Sequence, residues 1–203
     1  TIIANNLDYS TLVRGNVIPD SDCHVIEWVD EAREISKTKK IPKCNRCYRF
    51  LKEPKGILPT LLERLISMRN QVKKEIKVLK KKLEDKSQDR DEIEMMLIVL
   101  DKRQLAYKIS SNSMYGATGV RRGYLPCMPI AMCTTAMGRK YLKKASTTLI
   151  NDYNAHLVYG DTDSCYVQFK GLSDTKQIWN RAIQVEEEIS KLFPQHMRIE
   201  FEA

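Results

Sequence analysis

The stretch His156-Leu157-Val158-Tyr159-Gly160-Asp161-Thr162-Asp163-Ser164-Cys165-Tyr166-Val167 decides how the rest of this chain is read. Apolar residues run up to a Gly-Asp-Thr-Asp turn and alternate with polar ones beyond it. That pattern predicts two short strands joined by a tight hairpin. Asp161 and Asp163 stand at the tip with one residue between them. A tip holds a carboxylate rigidly and leaves it open to solvent and to a metal ion. Mg²⁺ is a hard cation that binds through one or two carboxylates and completes its shell with water and substrate phosphates. The turn is therefore a candidate for metal-assisted phosphoryl or nucleotidyl transfer. Asp and Gly are also ordinary turn residues, because Asp bonds its own backbone and Gly accepts positive φ. Paired carboxylates alone do not separate a metal site from a plain turn.

The chain has 203 residues, enough for one or two domains with a real core. A hydrophobic content of 42% and a charged content of 30% belong to soluble globular proteins. No apolar run approaches the roughly 20 residues of a membrane helix, so no membrane partner is expected. The chain opens Thr1-Ile2-Ile3-Ala4-Asn5-Asn6, without Met and without a basic leader. A fragment without a signal peptide is the expectation.

The net charge of +8 is unevenly spread. Residues 37–90 hold 18 Lys and Arg against 6 Asp and Glu, whereas the remainder holds 16 against 20. The basic block thus carries all of the net positive charge. Such a block suits nucleic-acid or polyphosphate backbones, where counterion release drives binding. It equally suits a solvated helix face. The six cysteines are irregularly spaced in a chain too large for a disulfide scaffold, which predicts a reducing, intracellular setting. Cys44 and Cys47 form a single Cys-x-x-Cys pair, and a closed zinc site needs four ligands. Cys23 and His24 are the candidates to complete it; free thiols beside a basic loop are the expectation.

Residues 1–53 read as irregular strands, short helices and turns, with 41–50 as a loop or small hairpin. Residues 54–118 are helical in pattern. A further helix spans 124–152, entered through Pro126 and Pro129. Residues 155–203 give the carboxylate hairpin, a helix over 175–192 and a short strand over 197–201. Within 54–118, Leu61, Leu62, Leu65, Ile66, Val72, Ile76, Leu79 and Leu83 recur at three- and four-residue intervals. Residues 85–90 break the pattern, and Ile93, Met96, Leu97, Leu100, Leu105 and Ile109 resume it. Two helices so closely joined pack antiparallel, and their polar outer faces predict a hairpin projecting from a body. Arg69 and Lys108 both fall roughly 30 Å from its tip at 1.5 Å per residue. Arg69 and Lys73 share a face, as do Lys108 and Asn112, and Tyr115 extends the second stripe. Three cations at one level repel unless an anion such as a triphosphate lies between them or water solvates them.

Two of these segments, with the opening, carry a resemblance. Lys108-Ile109-Ser110-Ser111-Asn112-Ser113-Met114-Tyr115-Gly116 resembles the second motif of family B DNA polymerases, Lys-x-x-x-Asn-Ser-x-Tyr-Gly. Tyr159-Gly160-Asp161-Thr162-Asp163-Ser164 resembles the third. Residues 1–12 resemble the segment just after the first. Order and spacing are similar to the delta type of eukaryotes and large DNA viruses, and residues 46–58 are most similar to the viral enzymes.

The resemblance implies an α+β fold: a palm with an antiparallel sheet and packed helices, plus a projecting antiparallel helical hairpin, the fingers. Residues 1–53 would be the first part of the palm, 54–118 the fingers, and 119–203 the second part of the palm. It implies DNA-templated nucleotidyl transfer with two Mg²⁺ ions, for which Mn²⁺ can substitute. Primer-template DNA and deoxynucleoside triphosphates would be the partners, and a sliding clamp would engage through regions outside this chain. The implied location is the nucleus or a viral replication compartment. Asp161 and Asp163 would be the catalytic metal ligands. Arg69, Lys73, Lys108 and Asn112 would grip the triphosphate, and Tyr115 would lie beneath the nascent base pair. Glu200 and Glu202 fall in a segment like the family's Leu-Glu-Phe-Glu strand and are read as packing or solvent-facing. The first-motif Asp that two-metal chemistry also requires is absent, so this chain alone is expected to be inactive. The alternative is a non-catalytic basic nucleic-acid-binding module, for which carboxylates facing the ligand make little sense.

Overall fold

The computed structural model describes residues 1–15, 17–31, 33–36, 39–84 and 90–202. Strand β1 (Leu12–Val13), β2 (Cys23–Asp30) and β5 (Cys44–Leu51) form an antiparallel sheet in the order β1-β5-β2. The β2–β5 pairing runs unbroken from Cys23 opposite Leu51 to Asp30 opposite Cys44. Alternation supplies one buried face, with Ile26 and Phe50 in the core. Strand β3 (Arg33–Ser36) pairs with β4 (Lys39–Ile41) beside it, with an irregularity at Glu34/Ser36.

The sequence expectation of a loop or small hairpin over 41–50 is corrected: most of it is a strand. Its partner lies upstream in β2, so the segment carries no local hairpin signal. The strand also rules out Cys44 and Cys47 as joint ligands of one ion. Three residues apart on extended backbone, they point to opposite faces about 10 Å from each other. Both are free thiols.

Helices α1 (Ile57–Glu84) and α2 (Arg90–Thr118) form where the apolar periods predict helices and lie antiparallel, as their close joining predicts. The residues between them lie outside the described set, and so does the expected break, apart from Arg90. Leu62, Val72 and Leu100 are buried, whereas Ile66, Met95, Ile98, Val99 and Ile109 are exposed. The pair thus leaves much of its surface, including these apolar side chains, open to solvent.

Helix α3 (Met128–Tyr153) carries Pro in its first turn, where the missing N–H is no loss. It ends at Asn154, which takes the left-handed conformation at φ 50° and bonds back to the Leu149 carbonyl. At 1.5 Å per residue it is about 39 Å long, and it connects two cores. Its N-terminal half gives Ile130 and Cys133 to a cluster with Leu7, Ile26, Phe50 and Leu62. Its C-terminal half gives Leu149 to a cluster with Ala155, Phe169, Val185 and Ile189. The second cluster sits under the hairpin of β6 (Ala155–Asp161) and β7 (Ser164–Phe169) and under α4 (Thr175–Ser190). Asp174 caps α4, accepting from the Gln177 N–H at 3.2 Å.

The short strand expected over 197–201 does not form, and α4 stops at Ser190 rather than 192. Side chains of α4 satisfy that segment's backbone instead of a neighbouring strand. Ser190 Oγ accepts from Ile199 N at 3.1 Å and donates to Ile199 O at 3.3 Å. Glu186 Oε2 accepts from Phe201 N at 3.1 Å, and the Phe201 ring meets Trp179 edge-on, 5.1 Å between centroids. The architecture is α+β: helices packed with small antiparallel sheets.

Candidate active site

The carboxylate turn forms where the sequence places it. Asp161 closes β6 opposite Ser164, the first residue of β7, leaving Thr162 and Asp163 as a two-residue loop. A shift in pairing between Leu157 and Tyr159 bends the hairpin behind the tip. Both carboxylates are exposed. Thr162 Oγ1 donates to Asp161 Oδ1 at 2.9 Å, and Ser164 Oγ lies 3.5 Å from Asp163 Oδ1. Among the described residues neither carboxylate forms an ion pair. Thr162 stands at φ 39°, a left-handed conformation that β-branched residues rarely adopt. Such backbone costs on the order of 1 kcal/mol or more and persists only where its surroundings impose it. Next along β7, Cys165 is pushed above its ordinary value by burial, which keeps its thiol neutral.

Two exposed carboxylates with hard oxygen donors fit a divalent cation of the Mg²⁺ kind. Among the described residues no third His, Cys, Asp or Glu converges with them.

The cationic stripe lies on α1 and α2. Arg69 Nε donates across the hairpin to Gln104 Oε1 at 3.2 Å, and Gln104 Nε2 donates to Asp101 Oδ1 at 3.2 Å. With Arg69 level with Gln104, Lys108 sits one turn, about 6 Å, nearer the hairpin's base, and Asn112 about 12 Å nearer. Lys73 lies about 6 Å the other way. The stripe thus runs down the hairpin as a ladder rather than meeting at one level. Lys73, Lys108 and Asn112 are exposed, and among the described residues their side chains form no hydrogen bond or ion pair. Tyr115 is half-buried against the first core cluster. No described contact joins this ladder to the carboxylate turn; α3 packs against both α2 and the β6–β7 hairpin and holds them in one body.

Gln104 was invisible to pattern reading, although the antiparallel register would have placed it opposite Arg69. A second group, which no local sequence pattern marks, lies at the root of α1. Asn6 is buried in a left-handed conformation at φ 47°. Its Nδ2 donates to the carbonyls of Leu51 (2.9 Å), Lys52 (3.3 Å) and Pro54 (3.0 Å), and its Oδ1 accepts from Gly56 N at 2.8 Å. Asp8, 3% exposed, accepts at Oδ1 from Ser10 N and Ser10 Oγ, both at 2.8 Å, and at Oδ2 from Leu58 N at 2.6 Å. Gly56 lies so close that a Cβ there would stand 2.4 Å from Asp8 Cβ. On the outer side of the root, Glu63 pairs with Lys55 and meets His196 Nε2 at 3.3 Å. These are exposed contacts that salt screens, so the buried set inside holds the root.

A carboxylate hairpin and a cationic helical hairpin, held by one long helix, are parts suited to handling a polyphosphate with a divalent ion. DNA polymerase family B matches residues 1–203, and the chain belongs to that family. It is 49% identical to "DNA polymerase 037L" of Invertebrate iridescent virus 6, over 88% of this chain and 16% of that protein. It is 37% identical to "DNA polymerase 120R" of Invertebrate iridescent virus 3, over 99% of this chain and 22% of that protein. With the "DNA polymerase delta catalytic subunit" of Mesocricetus auratus, identity is 34% over 99% of this chain and 17% of the relative. The chain thus spans between 16% and 22% of the length of these relatives.

Proposed function

We propose that this chain is the nucleotide-handling part of a longer enzyme that performs DNA-templated nucleotidyl transfer. Residues 1–53 and 119–203 would form the palm, and residues 54–118 the fingers. The observation that carries the proposal is the exposed pair Asp161 and Asp163, set on either side of a strained Thr162 in a member of this family.

Asp161 and Asp163 would hold two Mg²⁺ ions, or Mn²⁺ in their place, with a further carboxylate from another segment of the longer protein. Bound there, the ions would supply Lewis-acid stabilisation to the attacking and leaving oxygens. This chain's own residues do the rest. Arg69 engages Gln104 through Nε alone, which leaves both terminal nitrogens to donate to phosphate oxygens. Lys73 and Lys108 add mobile point charges on either side of it, and Asn112 adds an amide donor. A ladder of donors suits an extended triphosphate better than a single cluster would. As the primer 3′-oxygen attacks the α-phosphorus and pyrophosphate leaves, these groups neutralise the charge gathering on the β- and γ-phosphates. Tyr115, backed by the core, offers a firm ring beneath the base pair being formed. Primer-template DNA and deoxynucleoside triphosphates are the partners, in a nuclear or viral replication compartment.

The test is metal-dependent primer extension by the longer polymerase. Chelation should stop it, and Mg²⁺ or Mn²⁺ should restore it. Extension that survives chelation would refute the proposal. The 203-residue chain alone should not extend a primer.

A further inference from the structure

We infer that Asp8 is a positioning residue that sets the angle at which α1 leaves the body and thereby places Arg69 and Lys73; this rests on the nucleotide-gripping role proposed for them. A buried carboxylate is costly unless its oxygens are fully hydrogen-bonded. Asp8 meets that condition with three donors at 2.6–2.8 Å, the range of strong charge-assisted bonds. One donor, Leu58 N, belongs to the first turn of α1, where the helix dipole also favours negative charge. The others belong to Ser10, in the segment leading into β1. The carboxylate therefore ties the helix root to the body through one rigid group.

Gly56 completes the joint. Its missing side chain lets the backbone entering α1 close on Asp8, where any Cβ would collide at 2.4 Å. Asn6 holds the Gly56 N–H from the other side at 2.8 Å. Neither residue touches Arg69 or Lys73, but both act on them through leverage. Arg69 lies eleven residues beyond Leu58, about 17 Å along the helix. A tilt of about 5° at the root moves it by roughly 1.5 Å. A misplacement of about 1 Å can lower a rate about 10²-fold.

The experiment compares the longer polymerase with its Asp8→Asn, Asp8→Ala and Gly56→Ala variants by two readouts. Amide exchange of Leu58, Leu61 and Leu62 should rise at least about tenfold in Asp8→Ala, while α3 and the β6–β7 hairpin keep wild-type protection. Nucleotide KM should rise about tenfold or more in Asp8→Ala and Gly56→Ala, with primer-template affinity within about twofold of wild type. Asp8→Asn, which retains one acceptor oxygen, should fall between. Unchanged exchange at the root would overturn the inference. So would a uniform loss of protection, or a fall in kcat with nucleotide KM unmoved. A wild-type enzyme that shows no metal-dependent incorporation would strike the functional reading instead, and the exchange data would still decide whether Asp8 pins the root.

Discussion

Arg69 Nε donates to Gln104 Oε1 at 3.2 Å, one helix of the hairpin to the other, and Asp101 in turn holds the Gln104 amide at 3.2 Å. A flexible cation is thereby aimed without being neutralised, since an amide oxygen carries no net charge. Replacing Gln104 with Ala should raise nucleotide KM by about 2- to 10-fold, the worth of one net hydrogen bond. Arg69→Ala should raise it further, because the phosphate contacts themselves go. Nucleotide KM in steady-state extension checks both; a Gln104→Ala enzyme with wild-type KM would show that Gln104 does not aim Arg69.

Thr162 gives a stability prediction. Asn tolerates a left-handed backbone far better than a β-branched residue does, and its amide can still donate to Asp161. Thr162→Asn should therefore raise the melting temperature by about 2–4 °C, as expected for relief of about 1 kcal/mol in a chain of this size. An unchanged or lower melting temperature would mean the turn holds no strain.

The carboxylate turn, the helical hairpin and α4 were legible because each rests on local pattern: a Gly-Asp turn between apolar runs, or an apolar period of three to four. Strand β5 was not, because its partner β2 lies beyond β3 and β4 and its exposed face is polar and basic. The 197–201 segment has a strand's alternation, but its backbone partners are Ser190 and Glu186 on a helix. The candidate ligands Asp161 and Asp163 and the candidate triphosphate contacts Lys108 and Asn112 stand in motifs, and Arg69 and Lys73 are picked out by their spacing along the helix. No such signal marks their supports, Gln104, Asn6 and Asp8, because Asn-Leu-Asp-Tyr reads as any turn until Gly56 and Leu58 are brought against it.

A pH dependence follows from Glu188 and Tyr153. The Tyr153 hydroxyl donates to Glu188 Oε2 at 2.6 Å, and Gln184 donates to its other oxygen at 2.9 Å. The Tyr153 bond first, then Gln184, holds the carboxyl below its ordinary 4.5. The same bond to Glu188 lifts the Tyr153 phenol above its ordinary 10.0. Glu188 thus contributes stability above pH 4.5 that is lost as pH falls through its lowered folded-state value. Tyr153 contributes stability below pH 10.0 that is lost as pH rises through its raised one. Tyr153→Phe should melt below wild type across the neutral range, and the gap should narrow in strong acid. A gap independent of pH would mean the hydroxyl acts by packing alone.

The most direct measurement is single-turnover incorporation by the longer polymerase carrying Asp163→Ala, beside its affinity for primer-template DNA. Losing a group that holds transition-state charge should cut the rate at least about 10³-fold. DNA affinity should stay within about twofold, because the basic block of residues 37–90, whose charge suits a phosphate backbone, is untouched. Near-normal incorporation by Asp163→Ala would contradict the assignment of the 161–163 turn as the metal-holding centre.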